Sequence, residues 1–257
     1  MADTITRRRS RRLELRTTEE ERALIDRAVA ASGTDLIIHN FAPAGVTIAG
    51  DITGAQNVVF NGTCVTVLGG DNDYTGAAFV TGESTLEFDD VTRYGATSAF
   101  TLNGGKLNFT GVTVTSAPIT QGITLGGNGG TLAVADAGSR LVIRGNAANQ
   151  ITSDANPTAA ITTGNTFSGG LTFTGPGTIQ FGDRSAGTTT RDLLGVQNNY
   201  TGLTIIGDGT TAVTVDIQGQ GNDNEQYSVF GTTYGWADGT ILRNNSTLEI
   251  STKRGDG

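Results

Sequence analysis

The 257-residue chain has very few of the residues that most often carry chemistry, with one cysteine, one histidine and one tryptophan. Its single cysteine, Cys64, excludes an internal disulfide and a metal site built from cysteines. Cys64 sits in a strand-like run and is predicted to be a small buried side chain. The single histidine, His39, excludes a multi-histidine metal site, and we expect it to be a junction residue without a catalytic role.

Long hydrophobic runs are also missing. No stretch approaches about eighteen apolar residues, so no transmembrane segment is predicted. Ser10, Arg11 and Arg12 resemble the start of a twin-arginine export signal, but charged residues between Glu19 and Arg27 replace the apolar region that such a signal needs. The sequence as given therefore predicts no export signal and, by itself, a cytoplasmic location.

Charged residues make up only 16% of the chain and there are four prolines, whereas glycine occurs 38 times. The charge is uneven. Residues 1–36 carry eight arginines against seven acidic residues, and residues 37–257 carry nine basic against eighteen acidic residues. An acidic body of this kind repels nucleic acid, whereas six arginines within the first sixteen residues form a local basic patch.

The first 44 residues are predicted to contain a basic lead, a strand and a helix. We expect residues 1–10 to be disordered, residues 11–36 to form a short strand and a helix, and residues 37–44 to be a junction. Thr18 and Glu21 form a capping box at the helix start, and Gly33 ends the helix. Four residues form an apolar stripe at helical spacing: Leu24, Ile25, Ala28 and Val29.

The segment RLELRTTEEERALIDRAVAASGTDL, residues 12–36, resembles the ribbon-helix-helix antitoxins that are paired with acetyltransferase-type toxins. That resemblance implies that Arg12, Glu14 and Arg16 face DNA from a strand that pairs across a dimer. The second helix of the family is replaced here by IIHNFAPAG. The head is therefore predicted to be truncated and vestigial, with nucleic acid a partner only if the head dimerises. A second hypothesis has the apolar stripe cover the first coil of the body.

The body, residues 45–257, is predicted to be mainly β. Its short segments alternate apolar and polar residues between turns of Gly, Asn and Asp, which is typical of strands. Aromatic residues are only 6% of the chain, so a stacked coil of about twenty residues per turn, filled by small and medium aliphatic side chains, fits better than a sandwich. Fifteen segments read this way: GVTIAG, NVVFNG, CVTVLGG, STLEFDD, AFTLNGG, KLNFTG, VTVTS, GITLGG, TLAVADAG, RLVIRGN, LTFTGPG, TIQFGD, LTIIGDG, AVTVDIQG and STLEIST.

Three stretches of the body resemble the β-strand repeats of bacterial autotransporter passengers: NDYTGAAFVTGESTLEF from Asn72, GGLTFTGPGTIQF from Gly169 and NNYTGLTIIGDGTT from Asn198. The resemblance implies a right-handed β-solenoid of the pectin-lyase-like kind on a cell surface. It also implies a non-enzymatic structural or adhesive role, with glycans or proteins of a host or cell surface as partners. We expect no catalytic residue, no metal and no cofactor, and the sequence does not predict an oligomeric state.

An alternative reading is a carbohydrate-active β-helix enzyme, for which Asp89, Asp90 and Arg93 are the first candidates and Asp223 with Glu225 the second. The other alternative is a DNA-binding regulator that uses the head. Asp71, Asn72 and Asp73 form a glycine-rich turn suggestive of calcium, but the tandem repeat that calcium-binding rolls need is missing, so a solvated corner is predicted. Three aromatic residues are a candidate carbohydrate platform: Tyr227, Tyr234 and Trp236.

Overall fold

The computed structural model describes residues 35–112, 119–143, 151–153, 169–182, 200, 202–219 and 239–252. Within these ranges the chain forms eighteen strands and no helix, and hence no helix that could cross a bilayer. The protein is therefore mainly β in this part of the chain, as predicted. The helix expected between Thr18 and Gly33 lies outside the described residues.

The eighteen strands form three sheets, and neighbouring strands in each sheet are parallel. The first sheet contains β1 Leu36–Asn40, β3 Val58–Gly62, β5 Ala78–Gly82, β7 Ala99–Asn103, β9 Gly122–Leu125 and β12 Ile151–Ser153. The long sheet contains β2 Val46–Ile48, β4 Val65–Leu68, β6 Thr85–Phe88, β8 Lys106–Phe109, β10 Gly130–Val134, β13 Leu171–Thr174, β15 Thr204–Ile206 and β17 Thr240–Leu242. The third sheet contains β11 Arg140–Ile143, β14 Thr178–Phe181, β16 Thr214–Gly219 and β18 Thr247–Thr252.

Consecutive strands lie in different sheets, and each strand pairs with the next strand of its own sheet along the chain. We call each set of consecutive strands, one from each sheet present, a rung; the described residues form eight rungs, from β1 with β2 to β17 with β18. Val58 pairs with Ala78, 20 residues later, which agrees with the repeat expected from the sequence. Thr131 pairs with Thr172, 41 residues later, so the later rungs use more chain.

The strand predictions are confirmed for fourteen of the fifteen segments, and the remaining one, VTVTS, lies outside the described residues except for Val112. The junction expected at residues 37–44 holds most of β1, which pairs in register with β3. The segment LIIHN has little polar alternation, so its strand character comes from this pairing with a rung 22 residues later rather than from its own pattern.

Alternation within the strands separates a buried row from an outward row. In β6, Leu86 and Phe88 are buried while Thr85 and Glu87 face outward, and β4 and β8 repeat the pattern in register. Because side chains of a strand alternate between faces and the register is exact, identical faces align from rung to rung. The buried rows of the three sheets merge into one continuous core.

The core contains more aromatic side chains than the sequence suggested. Phe88 lies with its ring centroid 5.4 Å from that of Tyr94 and 5.7 Å from that of Phe109, and Tyr94 lies 5.0 Å from Phe100. The expectation of small and medium aliphatic filling is therefore wrong in the early rungs. The low aromatic content of the chain does not prevent an aromatic core, because most of these rings are placed inside it. Six phenylalanines and three tyrosines are fully buried: Phe60, Phe88, Phe100, Phe109, Phe173, Phe181, Tyr74, Tyr94 and Tyr200.

The turn after β15 is held by the carboxylate of Asp208. Its Oδ1 accepts hydrogen bonds from the backbone N–H groups of Thr210 (2.7 Å) and Thr211 (2.9 Å), and from the Thr210 hydroxyl (2.7 Å). The bond from the Thr211 N–H, followed by those from Thr210, holds the pKa of Asp208 well below its usual value. Folding therefore favours the charged form of the Asp208 carboxylate.

We expect Asp208→Asn to weaken the loss of stability at low pH. A carboxyl group whose pKa is lowered by folding contributes stability above its unfolded-state pKa of about 3.9 and loses it as the pH falls further. The measurement is thermal denaturation at neutral pH and at about pH 3. Glu83→Gln, at an exposed carboxylate, is the matched control. Identical acid sensitivity in the two variants would show that Asp208 makes no such contribution.

Candidate functional site

The outward face of the long sheet carries a straight row of side chains from successive rungs. Thr85 pairs with Lys106, which pairs with Thr131, which in turn pairs with Thr172. Parallel pairing spaces such side chains about 4.8 Å apart along the stack. The row is polar in the middle rungs and becomes apolar at Ile205 in β15. A regular row of this kind suits an extended ligand better than a compact one.

An open groove of about 250 Å³ lies on this face where the later rungs begin. Its polar lining residues are Thr131, Thr172 and Asn128, and its apolar lining residues are Leu203 and Ile205. The rest of the lining is glycine: Gly104, Gly129, Gly130 and Gly170. Paired hydroxyl and amide groups beside aliphatic carbon are suited to a ligand that presents both hydroxyls and C–H surface.

The groove depends on close approach of the backbones of neighbouring rungs. Leu171 donates its N–H to the Leu203 carbonyl oxygen (3.0 Å), and Gly130 donates to the Gly170 carbonyl oxygen (3.0 Å). A Cβ atom at position 170 would lie 2.6 Å from the Leu203 carbonyl oxygen, closer than real Cβ atoms approach. Glycine at this position therefore allows the rungs to stack tightly at the groove wall.

A second candidate is the charged cluster around Arg93, which the sequence placed near Asp89 and Asp90. Arg93 Nη1 lies 2.6 Å from Asp71 Oδ1 and Arg93 Nε lies 3.0 Å from Asp89 Oδ1, so the guanidinium bridges two rungs. The sequence did not predict Asp71 as the partner of Arg93. Both carboxylates are therefore paired with Arg93. These ion pairs have a structural role and lie on a mostly exposed surface.

The neighbouring carboxylate of Asp90 is held by Thr92. Its Oδ1 accepts hydrogen bonds from the backbone N–H of Thr92 (2.8 Å) and from the Thr92 hydroxyl (2.9 Å). These two bonds, the backbone bond first, lower the pKa of Asp90. The charged form is therefore favoured at Asp90, which is the opposite of what a general acid for glycoside cleavage needs.

The corner containing Asn72 differs from its prediction as a solvated turn. Asp71 and Asp73 are exposed, but Asn72 is buried. Asn72 Oδ1 accepts the Ile52 N–H (2.7 Å), and its amide nitrogen donates to the carbonyl oxygens of Gly70 and Arg93. A single buried amide thus joins three successive rungs, because Ile52 and Arg93 lie about one repeat away on either side.

Tyrosines of the two NxYTG corners are also buried in the core. Tyr74 and Tyr200 are fully buried, and the Tyr200 hydroxyl lies 2.5 Å from the Thr204 hydroxyl. Burial raises the pKa of both tyrosine hydroxyls well above its usual value. The Asn-x-Tyr-Thr-Gly motif therefore marks two positions at which a tyrosine ring is buried in the core.

The remaining candidate residues from the sequence either have a defined position in the structure or lie outside the described ranges. His39 is exposed on β1, and Cys64 is half-buried in the turn before β4, so the predicted burial of its thiol in a strand is wrong. Within the described ranges no three His, Cys, Asp or Glu residues are placed to hold a metal ion. The following predicted residues lie outside the described ranges: Arg12, Glu14, Arg16, Asp223, Glu225, Tyr227, Tyr234 and Trp236.

The chain was compared with protein-family models, with characterised proteins and with solved structures. None of the three comparisons gave a significant match. The groove on the long sheet is the candidate site on the strength of its own geometry.

Proposed function

We propose that the chain is a right-handed, pectin-lyase-like β-solenoid segment of an autotransporter-like surface protein, with a non-enzymatic structural and adhesive role. The observation that carries the proposal is the pairing pattern, in which each sheet pairs strands in parallel and in chain order from rung to rung. One continuous coil is the simplest path that produces this order. A right hand is the one that parallel crossover connections adopt.

A stack of this kind is suited to act as a spacer that holds a binding face at a fixed distance. Each rung adds about 4.8 Å along the axis, and each is joined to the next by parallel strand hydrogen bonds. In the early rungs the third side is joined as well, since Asp73 and Tyr74 both donate their N–H to the Ile52 carbonyl oxygen. The described rungs also share one hydrophobic core, which makes bending between them unfavourable.

The adhesive part of the role is assigned to the groove on the long sheet. We take its ligand to be a neutral glycan chain, because Thr131, Thr172 and Asn128 offer hydroxyl and amide groups, and Ile205 offers apolar surface to a sugar ring. Its volume of about 250 Å³ suits a short section of an extended chain that continues beyond the groove at both ends.

We expect Thr172→Trp to abolish glycan binding by filling the groove. The measurement is binding of the full chain to an array of neutral oligosaccharides, followed by titration of the best ligand. Affinity is expected to fall at least about ten-fold, since the bulky ring removes the hydroxyl contact and excludes the sugar.

Thr85→Trp is the matched control, because Thr85 lies in the same outward row but outside the groove. Two results would contradict the adhesive proposal. One is a wild-type chain that binds no oligosaccharide on the array. The other is equal binding by the two tryptophan variants.

A further inference from the structure

The outward face of the third sheet contains buried polar side chains. In β16, Val215 and Ile217 belong to the core, so Asp216 between them faces away from it. Asp216 is nevertheless only 5% exposed. Its register partner in β14, Gln180, also lies between two core residues and is 3% exposed. This face therefore holds a carboxylate that is largely removed from water.

One carboxylate oxygen of Asp216 has a hydrogen-bond partner and the other has none. Oδ2 accepts a hydrogen bond from Gln218 Nε2 (2.6 Å), whereas Oδ1 is buried without a partner. Arg140, the one basic residue in the four strands of this sheet, donates from Nη1 to Gln180 Oε1 (2.7 Å). Burying a carboxylate without a compensating charge is costly, so Oδ1 is suited to a positively charged ligand.

A second carboxylate lies beside Asp216 in the next rung. Glu249 in β18 is the register partner of Asp216 and is exposed. Neighbouring strands are about 4.8 Å apart, and paired side chains lie on the same face of the sheet. Like charges directly opposite each other on neighbouring strands repel. A cation that contacts both carboxylates removes this repulsion, so the two residues form a pair suited to one divalent ion.

Hydroxyl groups flank this pair on the same face. Thr214 lies two residues before Asp216, and it pairs with Thr247, which lies two residues before Glu249. Because side chains alternate along a strand, all four side chains face outward from two neighbouring strands. Carboxylate and hydroxyl oxygens, without histidine or cysteine, are the ligands that Ca²⁺ prefers, and Ca²⁺ accepts a less regular shell than Mg²⁺ does.

We propose that Asp216 and Glu249 bind one Ca²⁺ ion between the last two described rungs of the third sheet. Asp216 Oδ1 contacts the ion from the buried side, and Glu249 contacts it from the solvent side. Hydroxyl and water oxygens complete the about six to eight ligands that Ca²⁺ takes. The sequence predicted no metal, because these two residues are 33 positions apart and meet only through the strand register.

The first test is thermal unfolding of the full chain at neutral pH, either with a calcium chelator or with added Ca²⁺. We expect Ca²⁺ at about 100 times its Kd to raise the Tm of the wild type by about 5–10 °C, because the ion binds only the folded chain. Asp216→Asn should show no response to Ca²⁺. In the chelator it should be at least as stable as the wild type, since it removes an uncompensated buried charge.

The response of Asp216→Asn separates an ion site from a purely structural carboxylate. If Asp216 served only to accept the hydrogen bond from Gln218, its asparagine variant would lose stability equally with and without Ca²⁺. Asp136→Asn, at an exposed carboxylate in the turn before β11, is the matched control and should keep the wild-type response. A wild type whose Tm is unchanged by Ca²⁺, or an Asp216→Asn chain that keeps the response, would overturn the proposal.

The second test measures Ca²⁺ binding to the full chain by equilibrium dialysis and does not depend on the folding of the Asp216 variant. Glu249→Gln changes an exposed side chain, so we expect it to fold as the wild type does. The affinity of the site for Ca²⁺ should fall at least about ten-fold in this variant. Equal Ca²⁺ binding by the wild type and Glu249→Gln would overturn the proposal. Neither carboxylate lines the groove of the long sheet, so this result and the result for glycan binding are independent.

Discussion

Phe88→Ala is expected to lower the free energy of unfolding by about 3–5 kcal/mol, which is the usual cost of removing a fully buried phenyl ring. Phe88 is completely buried and its ring contacts both Tyr94 and Phe109. Tyr94 in turn packs edge-on against Phe100, so the cavity would lie within a cluster of rings that links two successive rungs. A parallel stack leaves little room for these strands to collapse into that space.

The measurement is chemical denaturation, in which the midpoint and the slope of the unfolding transition are compared between variants. Val112→Ala is the control, since it removes methyl groups from an exposed side chain in the same half of the stack and should change stability by less than about 0.5 kcal/mol. A Phe88→Ala midpoint within error of this control would show that the aromatic cluster does not hold the rungs together.

Gly62→Ala is expected to destabilise the chain by about 2–5 kcal/mol, combining backbone strain with a steric clash. Gly62 has φ of +134°, a region that residues with a side chain rarely adopt. A Cβ atom there would also lie 1.9 Å from the Asn40 carbonyl oxygen, which belongs to the backbone of the previous rung and cannot rotate away. The two costs arise together because the last residue of β3 lies directly against its register partner in β1.

Gly122→Ala is the matched control for this substitution. Gly122 is also a strand glycine, but no atom lies within 4 Å of its added Cβ, and its φ is not in the positive region. We expect it to be neutral or to raise stability by about 0.4–1 kcal/mol through a less flexible unfolded chain. Equal destabilisation by the two alanines, in the same denaturation experiment, would mean that the contact of Gly62 with Asn40 is unimportant.

The β content and most strands could be predicted from the sequence because alternation is a local property. LTFTGPGTIQF is an example, in which two strands and the glycine turn between them are visible within eleven residues. The strand β1 was missed for the converse reason. Its residues Leu36–Asn40 carry little alternation, and their conformation is set by pairing with β3, which sequence patterns do not reveal.

The candidate site was less predictable because its parts come from different rungs. Asn128, Thr172 and Ile205 approach one another only through the strand register, and their separation in sequence varies from rung to rung. The same applies to Asn72, a polar residue in a glycine-rich turn whose hydrogen-bond partners lie about twenty residues away in both directions. A repeating Asn-x-Tyr-Thr-Gly corner is a usable signal, since both of its tyrosines are buried.

The change in register spacing gives the stack two different mechanical behaviours. Between β3 and β5 one repeat contains 20 residues, so pulling that repeat loose releases about 70 Å of extended chain. Between β10 and β13 the repeat contains 41 residues and releases about 140 Å. Both repeats occupy the same height of about 4.8 Å while folded. Under tension, the later rungs, whose repeats in the long sheet contain 33, 36 and 41 residues, therefore lengthen about one and a half to two times as far for each ruptured layer. Each rupture would dissipate correspondingly more of the applied work.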